Sequence, residues 1–192
     1  MDNFDQLLKI KTEGRDEVDL NPKFHPYEAT EYSVLELISK TNLIGKNNTL
    51  VDFGSGKGRV PIFLTYQTKC KSIGVEYSKR LIEKALENRL NLTFKDKIQF
   101  VNVNAIDFKI ENFMDRFYFF NPFDIETFKI VSSNIINSYK EYKRDTILFF
   151  YYANNDYRLY LENNNNYQLI DKIIVGNDDI NSFDNILIYK II

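Results

Sequence analysis

Three glycines at alternate positions, Gly54, Gly56 and Gly58, lie between an acid, Asp52, and a base, Arg59. They belong to the stretch Leu50-Val51-Asp52-Phe53-Gly54-Ser55-Gly56-Lys57-Gly58-Arg59-Val60, which opens apolar and β-prone and runs on into helical spacing. Glycines at a strand-to-helix turn reach dihedrals closed to other residues and let a ligand come close to the backbone. The N–H groups at the start of the following helix then carry a partial positive charge toward that ligand. Strand, glycine turn and helix together open a nucleotide-binding α/β unit. A second acid, Glu76, ends the next apolar run, Ser72-Ile73-Gly74-Val75-Glu76. A carboxylate at that strand tip can accept two hydrogen bonds from a ribose diol and excludes a 2′-phosphate. The spacing is G-x-G-x-G, and Arg59 stands where the dinucleotide fingerprint G-x-G-x-x-G has its third small residue.

These residues resemble the class I S-adenosylmethionine (SAM)-dependent methyltransferases. Val51–Arg59 looks like their first motif and Gly74-Val75-Glu76 like their second. Val103-Asn104-Ala105-Ile106-Asp107-Phe108 falls at the adenine-contact position, and Phe119-Phe120-Asn121-Pro122-Phe123 at the end of the fourth strand. The resemblance spans roughly residues 24 to 190 and implies a cofactor, SAM, whose product is S-adenosylhomocysteine, with no metal. It implies that Asp52, Gly54, Ser55, Gly56 and Gly58 cradle the methionine end and that Glu76 holds the ribose. Asn104 and the N–H of Ala105 would read adenine, and the Tyr77 ring would lie against its face. Asp107 could share the Asn104 role or cap a short turn. Tyr27, Thr30 and Tyr32 resemble a segment that folds over the cofactor in a bacterial methyltransferase subgroup and, more distantly, in Dot1-type enzymes; the same tyrosines could instead be packing residues of the first helix. Asn121, Pro122 and Phe123 would face the methyl group. Amino-group methyltransferases carry Asn/Asp-Pro-Pro-aromatic here, so the single proline of this chain leaves the acceptor open.

The elements that must hold these residues follow from periodicity. Thr30 is the expected N-cap of a first helix with a stripe of Val34, Leu35, Leu37 and Ile38, followed by Gly45. Strands are expected at Leu50–Phe53, Lys71–Glu76, Ile98–Val103, Arg116–Phe120 and Thr146–Tyr151. Helices are expected at Gly58–Thr68, Ser78–Leu92 (with Leu81, Ile82, Ala85, Leu86 and Leu90 inward), Ile125–Tyr142 and Tyr157–Leu161. Pro61 falls in a first turn, where its missing N–H is harmless. Tyr167–Val175 and Asp184–Ile191 close the chain as an antiparallel pair. The expected fold is α/β and Rossmann-like: a seven-stranded, mostly parallel sheet with an antiparallel last strand and helices on both faces.

The 192 residues suit one domain over 24–192, preceded by an arm over 1–23 that is a lid or disordered. Against 25 basic residues stand 27 acidic ones, a net charge of −2, which disfavours nucleic acid as a partner. Cys70 is the one cysteine, so no internal disulfide forms, and no run approaches the ~18–20 apolar residues of a membrane span. The N-terminus lacks a signal-peptide pattern, and the expected location is cytoplasmic, away from membranes. His25 is the one histidine and has no neighbours at metal-ligand spacing; it reads as a loop residue rather than a general base. The expected activity is methyl transfer to a small molecule or a protein amine rather than to nucleic acid. A SAM-binding protein without catalysis is the alternative, and a nicotinamide-dinucleotide oxidoreductase is a more distant one.

Overall fold

The computed structural model describes residues 4–14, 27–175 and 183–192. His25 lies outside the described residues. Seven strands form one sheet in the order β3-β2-β1-β4-β5-β7-β6. They are β1 (Thr49–Phe53), β2 (Lys71–Glu76), β3 (Ile98–Asn102), β4 (Arg116–Phe119), β5 (Ile147–Tyr151), β6 (Tyr167–Ile174) and β7 (Asn185–Ile191). Strands β1 to β5 pair in parallel, and β7 runs antiparallel to both β5 and β6. The strand order reverses between β1 and β4, and that switch point is where open α/β sheets bind ligands.

The central strands β1, β4 and β5 are buried along their whole length because helices cover both faces. Val51, Phe53, Phe117, Phe119, Leu148 and Phe150 face α5 (Ile125–Glu141) and α6 (Asn155–Glu162). There Phe119 stacks between Phe53 and Phe150, with ring centroids 5.2 and 5.0 Å away. Leu50, Tyr118, Ile147, Phe149 and Tyr151 face α2 (Tyr32–Lys40) and α3 (Arg59–Thr68). The outer strand β6 is mostly exposed and carries a bulge between Leu169 and Asp171, which blunts it as a template for further pairing.

Three local expectations are corrected. Glu31 rather than Thr30 stands at the start of α2, and no side chain caps it, because the Thr30 hydroxyl is engaged with Tyr118. In α4 (Lys79–Leu90), Leu86 and Leu90 face solvent. The buried face runs Leu81, Ile82, Ala85 and Asn88, so a polar residue completes it instead of the expected Leu86 and Leu90. Asn88 is there because its amide donates to the carbonyls of Lys11 and Lys57, at 3.2 and 2.9 Å, and accepts from the Lys11 N–H.

Those contacts belong to the N-terminal segment, which is packed along residues 4–14. Helix α1 (Phe4–Leu8) sets the Phe4 ring 4.8 Å from Phe63 and 5.1 Å from Tyr32. Ile10 is buried with Ile62, Leu92 and Ile98. Phe4, Ile10 and a buried acid, Asp5, hold this segment, not an amphipathic stripe.

Candidate functional site

A cavity of about 440 Å³ opens over the carboxyl ends of β1, β2, β4 and β5. Of the residues expected to act there, it collects Tyr27, Thr30, Asp52, Gly54, Ser55, Glu76, Tyr77, Ala105, Asn121, Pro122 and Phe123. Tyr32, Gly56, Gly58 and Asn104 are not on its walls. Each of these four serves the site from behind, or serves the fold.

The glycine loop shows why. Gly54, Gly56 and Gly58 all have positive φ, at 79°, 52° and 88°. A Cβ on Gly54 would lie 2.7 Å from the Pro122 ring, so the β1 and β4 loops can touch only through a glycine. A Cβ on Gly56 would lie 2.1 Å from the Tyr27 ring, which covers that residue. At Gly58 the obstacle is Phe100 of β3, 2.4 Å away; this glycine serves helix–sheet packing. The loop amides are largely bonded within the chain. Gly54 and Ser55 donate to Val75 O at 2.9 and 3.1 Å, and Gly58 donates to Ser55 O at 2.8 Å. The Gly56 N–H donates to Glu76 Oε2 at 2.9 Å. The expectation of main-chain amides freely facing a ligand is therefore narrowed: the Glu76 carboxylate already closes the loop. Its other oxygen accepts from the Ser78 N–H at 2.8 Å, at the start of α4.

Asp52 sits between Gly74 of β2 and Tyr118 of β4 and is 3% exposed. Burial, reinforced by the Glu76 charge, raises its pKa well above the usual carboxylate range. No hydrogen bond or ion pair from the described residues reaches its side chain. The hydroxyls of Ser55 and Ser78 are also buried without partners, and both residues line the cavity. Buried polar groups are nearly always satisfied, so two partnerless hydroxyls on one cavity, beside the carboxylate of Asp52, suit a polar ligand.

Asn104 caps a 3-10 turn, Ala105–Asp107, by accepting from the Ile106 N–H at 3.2 Å. Asp107 sits in that turn and is not its cap. Val103 and Ala105 reach the cavity on either side of Asn104. Beyond β4, Asn121 is held at φ 42°, a conformation rare for residues other than glycine, and Asn154 Nδ2 donates to its Oδ1 at 2.9 Å. Phe123 lines the cavity with a small part of its surface; its ring packs among Phe53 and Phe119. Tyr152, just after β5, also has positive φ, at 56°.

The sequence reading did not find Glu28, Arg80, Tyr118, Phe120, Tyr151 and Tyr152 on the cavity wall. Two signals existed. Tyr151-Tyr152 ends β5 in parallel with Phe120-Asn121 at the end of β4, so strand-end position alone names it. Tyr118 pairs with Asp52 across the sheet, which follows once the strand order is known.

A parallel sheet with one reversed strand and a polar cavity at its switch point define a nucleotide-binding α/β fold. The methyltransferase domain family matches residues 44–172, two-thirds of the chain, and the protein belongs to that family. No curated protein sequence matches it. Among solved structures it is similar to an RNA methyltransferase from Salinibacter ruber in complex with S-adenosyl-L-homocysteine. The identity is 14% and the TM-score 0.59, over 85% of this chain and 94% of that one. It is similar to a protein of the NADB-Rossmann superfamily from Streptococcus agalactiae, at 20% identity and TM-score 0.63 over 85% and 69%. TrmK of M. capricolum, in complex with S-adenosyl-homocysteine, matches at 18% identity and TM-score 0.53 over 85% and 69%. The protein is a SAM-dependent methyltransferase with a Rossmann-like class I fold.

Proposed function

We propose that this chain methylates an amine-bearing acceptor, a small molecule or a protein side chain, rather than a nucleic acid. The observation that carries this reading is the chemistry of the cavity mouth. Phe120, Tyr151 and Tyr152 form an aromatic wall there, with ring centroids 4.7 to 6.4 Å apart. Carboxylates surround it. Glu28 lines the cavity, the Tyr151 hydroxyl donates to Asp184 Oδ1 at 3.0 Å, and the charges of Asp184, Glu31 and Glu28 help burial to raise the Tyr151 pKa. Aromatic faces and carboxylates attract an ammonium and repel a phosphate backbone.

The residues fit SAM. When bound, SAM supplies an electrophilic methyl group on a sulfonium centre. The partnerless, buried carboxylate of Asp52 suits a ligand with positive charge. Glu76 would accept from the ribose hydroxyls while it holds the loop closed. Val103, Ala105 and Tyr77 would flank the adenine, with Asn104 fixing the turn that presents the Ala105 N–H. Tyr27 and Thr30 would cover the methionine end. Asn121, Pro122 and Phe120 would orient the acceptor, and water-poor aromatic walls keep the reacting atoms close and dry.

Nucleic acid is the second reading, because a structural neighbour is an RNA methyltransferase. Transfer of tritium from labelled SAM into cell extract separates the two. The amine reading expects label in small amines or protein that survives nuclease. Label released by nuclease would overturn it.

A further inference from the structure

A buried guanidinium, that of Arg59, is the centre of the contacts that fasten residues 5–14 to the glycine loop. Arg59 is the first residue of α3, directly after Gly58. Its Nε donates to Thr12 Oγ1 at 2.6 Å and its Nη1 to Thr30 O at 3.1 Å. Its Nη2 lies 3.6 Å from Asp5 Oδ1, with both side chains more than nine-tenths buried. Asp5 in turn accepts from the Thr12 N–H and Oγ1 at 2.6 and 2.7 Å, and from the Tyr32 hydroxyl. The Tyr32 ring lies under the guanidinium, 4.5 Å away.

Two branches run from this centre to the cavity. In one, Thr12 O accepts from the Tyr27 hydroxyl, which places the Tyr27 ring on Gly56. In the other, Thr30, held by Arg59 at its carbonyl, bonds the Tyr118 hydroxyl at 3.0 Å beside Asp52. Lys57 Nζ adds a separate tie to Glu13 O at 2.7 Å. A loop with three glycines at positive φ has many conformations to lose, and what holds it in one shape sets how much of that loss falls on binding.

We propose that Asp5 and Arg59 are positioning residues that hold the glycine loop in its cofactor-binding shape, so that residues 5–14 form part of the SAM site although they do not touch the ligand. The two charges are mutually necessary because either one alone would be buried without compensation. The arrangement also explains why Arg59 stands where related glycine fingerprints have a small residue: its side chain turns away from the helix–sheet contact and toward the N-terminal segment. The proposal rests on the cavity being the SAM site.

Hydrogen exchange on the ligand-free full chain tests it, since the N–H groups of Gly54, Ser55, Gly56 and Gly58 are all bonded and exchange only when the loop opens. With Asp5→Asn, exchange over residues 54–58 is expected to rise about tenfold while β5 and β7 stay unchanged, and the Kd for S-adenosylhomocysteine to rise about tenfold. Asp5→Glu should recover part of both. An equal rise in the sheet would mean a general loss of stability and overturn the proposal, as would loop exchange and Kd within about twofold of wild type. Should Asp5→Asn fail to fold, Tyr27→Phe removes only the hydroxyl tie to Thr12; looser loop exchange supports the coupling and unchanged exchange overturns it. If wild type does not bind S-adenosylhomocysteine yet Asp5→Asn loosens the loop, the SAM assignment fails and the clasp stands.

Discussion

On the glycine-loop side of the cavity, most polar groups of the backbone are bonded within the chain. Loop amides go to Val75, Ser55 and Glu76, and Arg59 binds Thr12, Thr30 and Asp5. On the side after β4 and β5, the wall is aromatic and more open, and Asn121 and Tyr152 both sit in left-handed backbone. The first side is shaped before any ligand arrives, as suits a cofactor of fixed structure. The second stores strain and presents ring faces, as suits an acceptor that must be oriented. Between them lie Asp52 and Tyr118, adjacent across β1 and β4.

The largest expected effect comes from breaking the preformed side. Gly56→Ala puts a Cβ into the Tyr27 ring at positive φ, a strain of about 1–3 kcal/mol. Binding of S-adenosylhomocysteine by calorimetry should fall by up to roughly 150-fold, whereas near-wild-type affinity would mean that the Tyr27–Gly56 contact is dispensable. Glu76→Ala comes next. It removes the proposed ribose acceptor and leaves the Gly56 and Ser78 N–H groups without that carboxylate, so affinity should drop about 10- to 100-fold. Equal affinity would show that the ribose lies elsewhere.

Asp52→Asn sharpens the contrast by moving stability and affinity in opposite directions. The native pKa of Asp52 is raised, so its contribution to stability is fully present below the unfolded value of about 3.9 and is lost as pH rises through the raised native value. Removing that buried charge should raise the ligand-free Tm at pH 7 by about 2–4 °C. The same change should weaken binding of SAM. A lower Tm would mean that the carboxylate has a partner in the free protein. Tyr152→Ala, on the open side, should have the smallest effect on the cofactor: affinity for S-adenosylhomocysteine within about twofold, with methyl transfer to an amine acceptor reduced several-fold. Lost cofactor affinity would erase the distinction between the two sides.

The preformed side was the more legible one in the sequence, for a physical reason. Glycine spacing, strand-end acids and apolar runs are local signals, and they located β1, β2 and the cavity residues Asp52, Gly54 and Glu76. Asn88 and Arg59 were opaque because their roles depend on partners 29 to 77 residues away, as with Asn88 to Lys57 and Lys11 and Arg59 to Thr30 and Thr12. Thr30 was misread as a cap because a cap is the local use of a threonine and Tyr118 is a distant one. The open side was half legible: Asn121-Pro122-Phe123 stood out at the end of the fourth strand, but Phe123 is largely core. Tyr151 read as the tail of a strand, and Tyr152 as the residue just past it, until β5 was seen to end beside β4.

A crystal structure of the full chain with S-adenosylhomocysteine tests the central claim most directly. The ribose hydroxyls should lie within hydrogen-bond distance of Glu76, with the amino group near Asp52 and the Tyr27 ring still covering Gly56. A ligand lodged outside the cavity, or one whose sugar points away from Glu76, would contradict it.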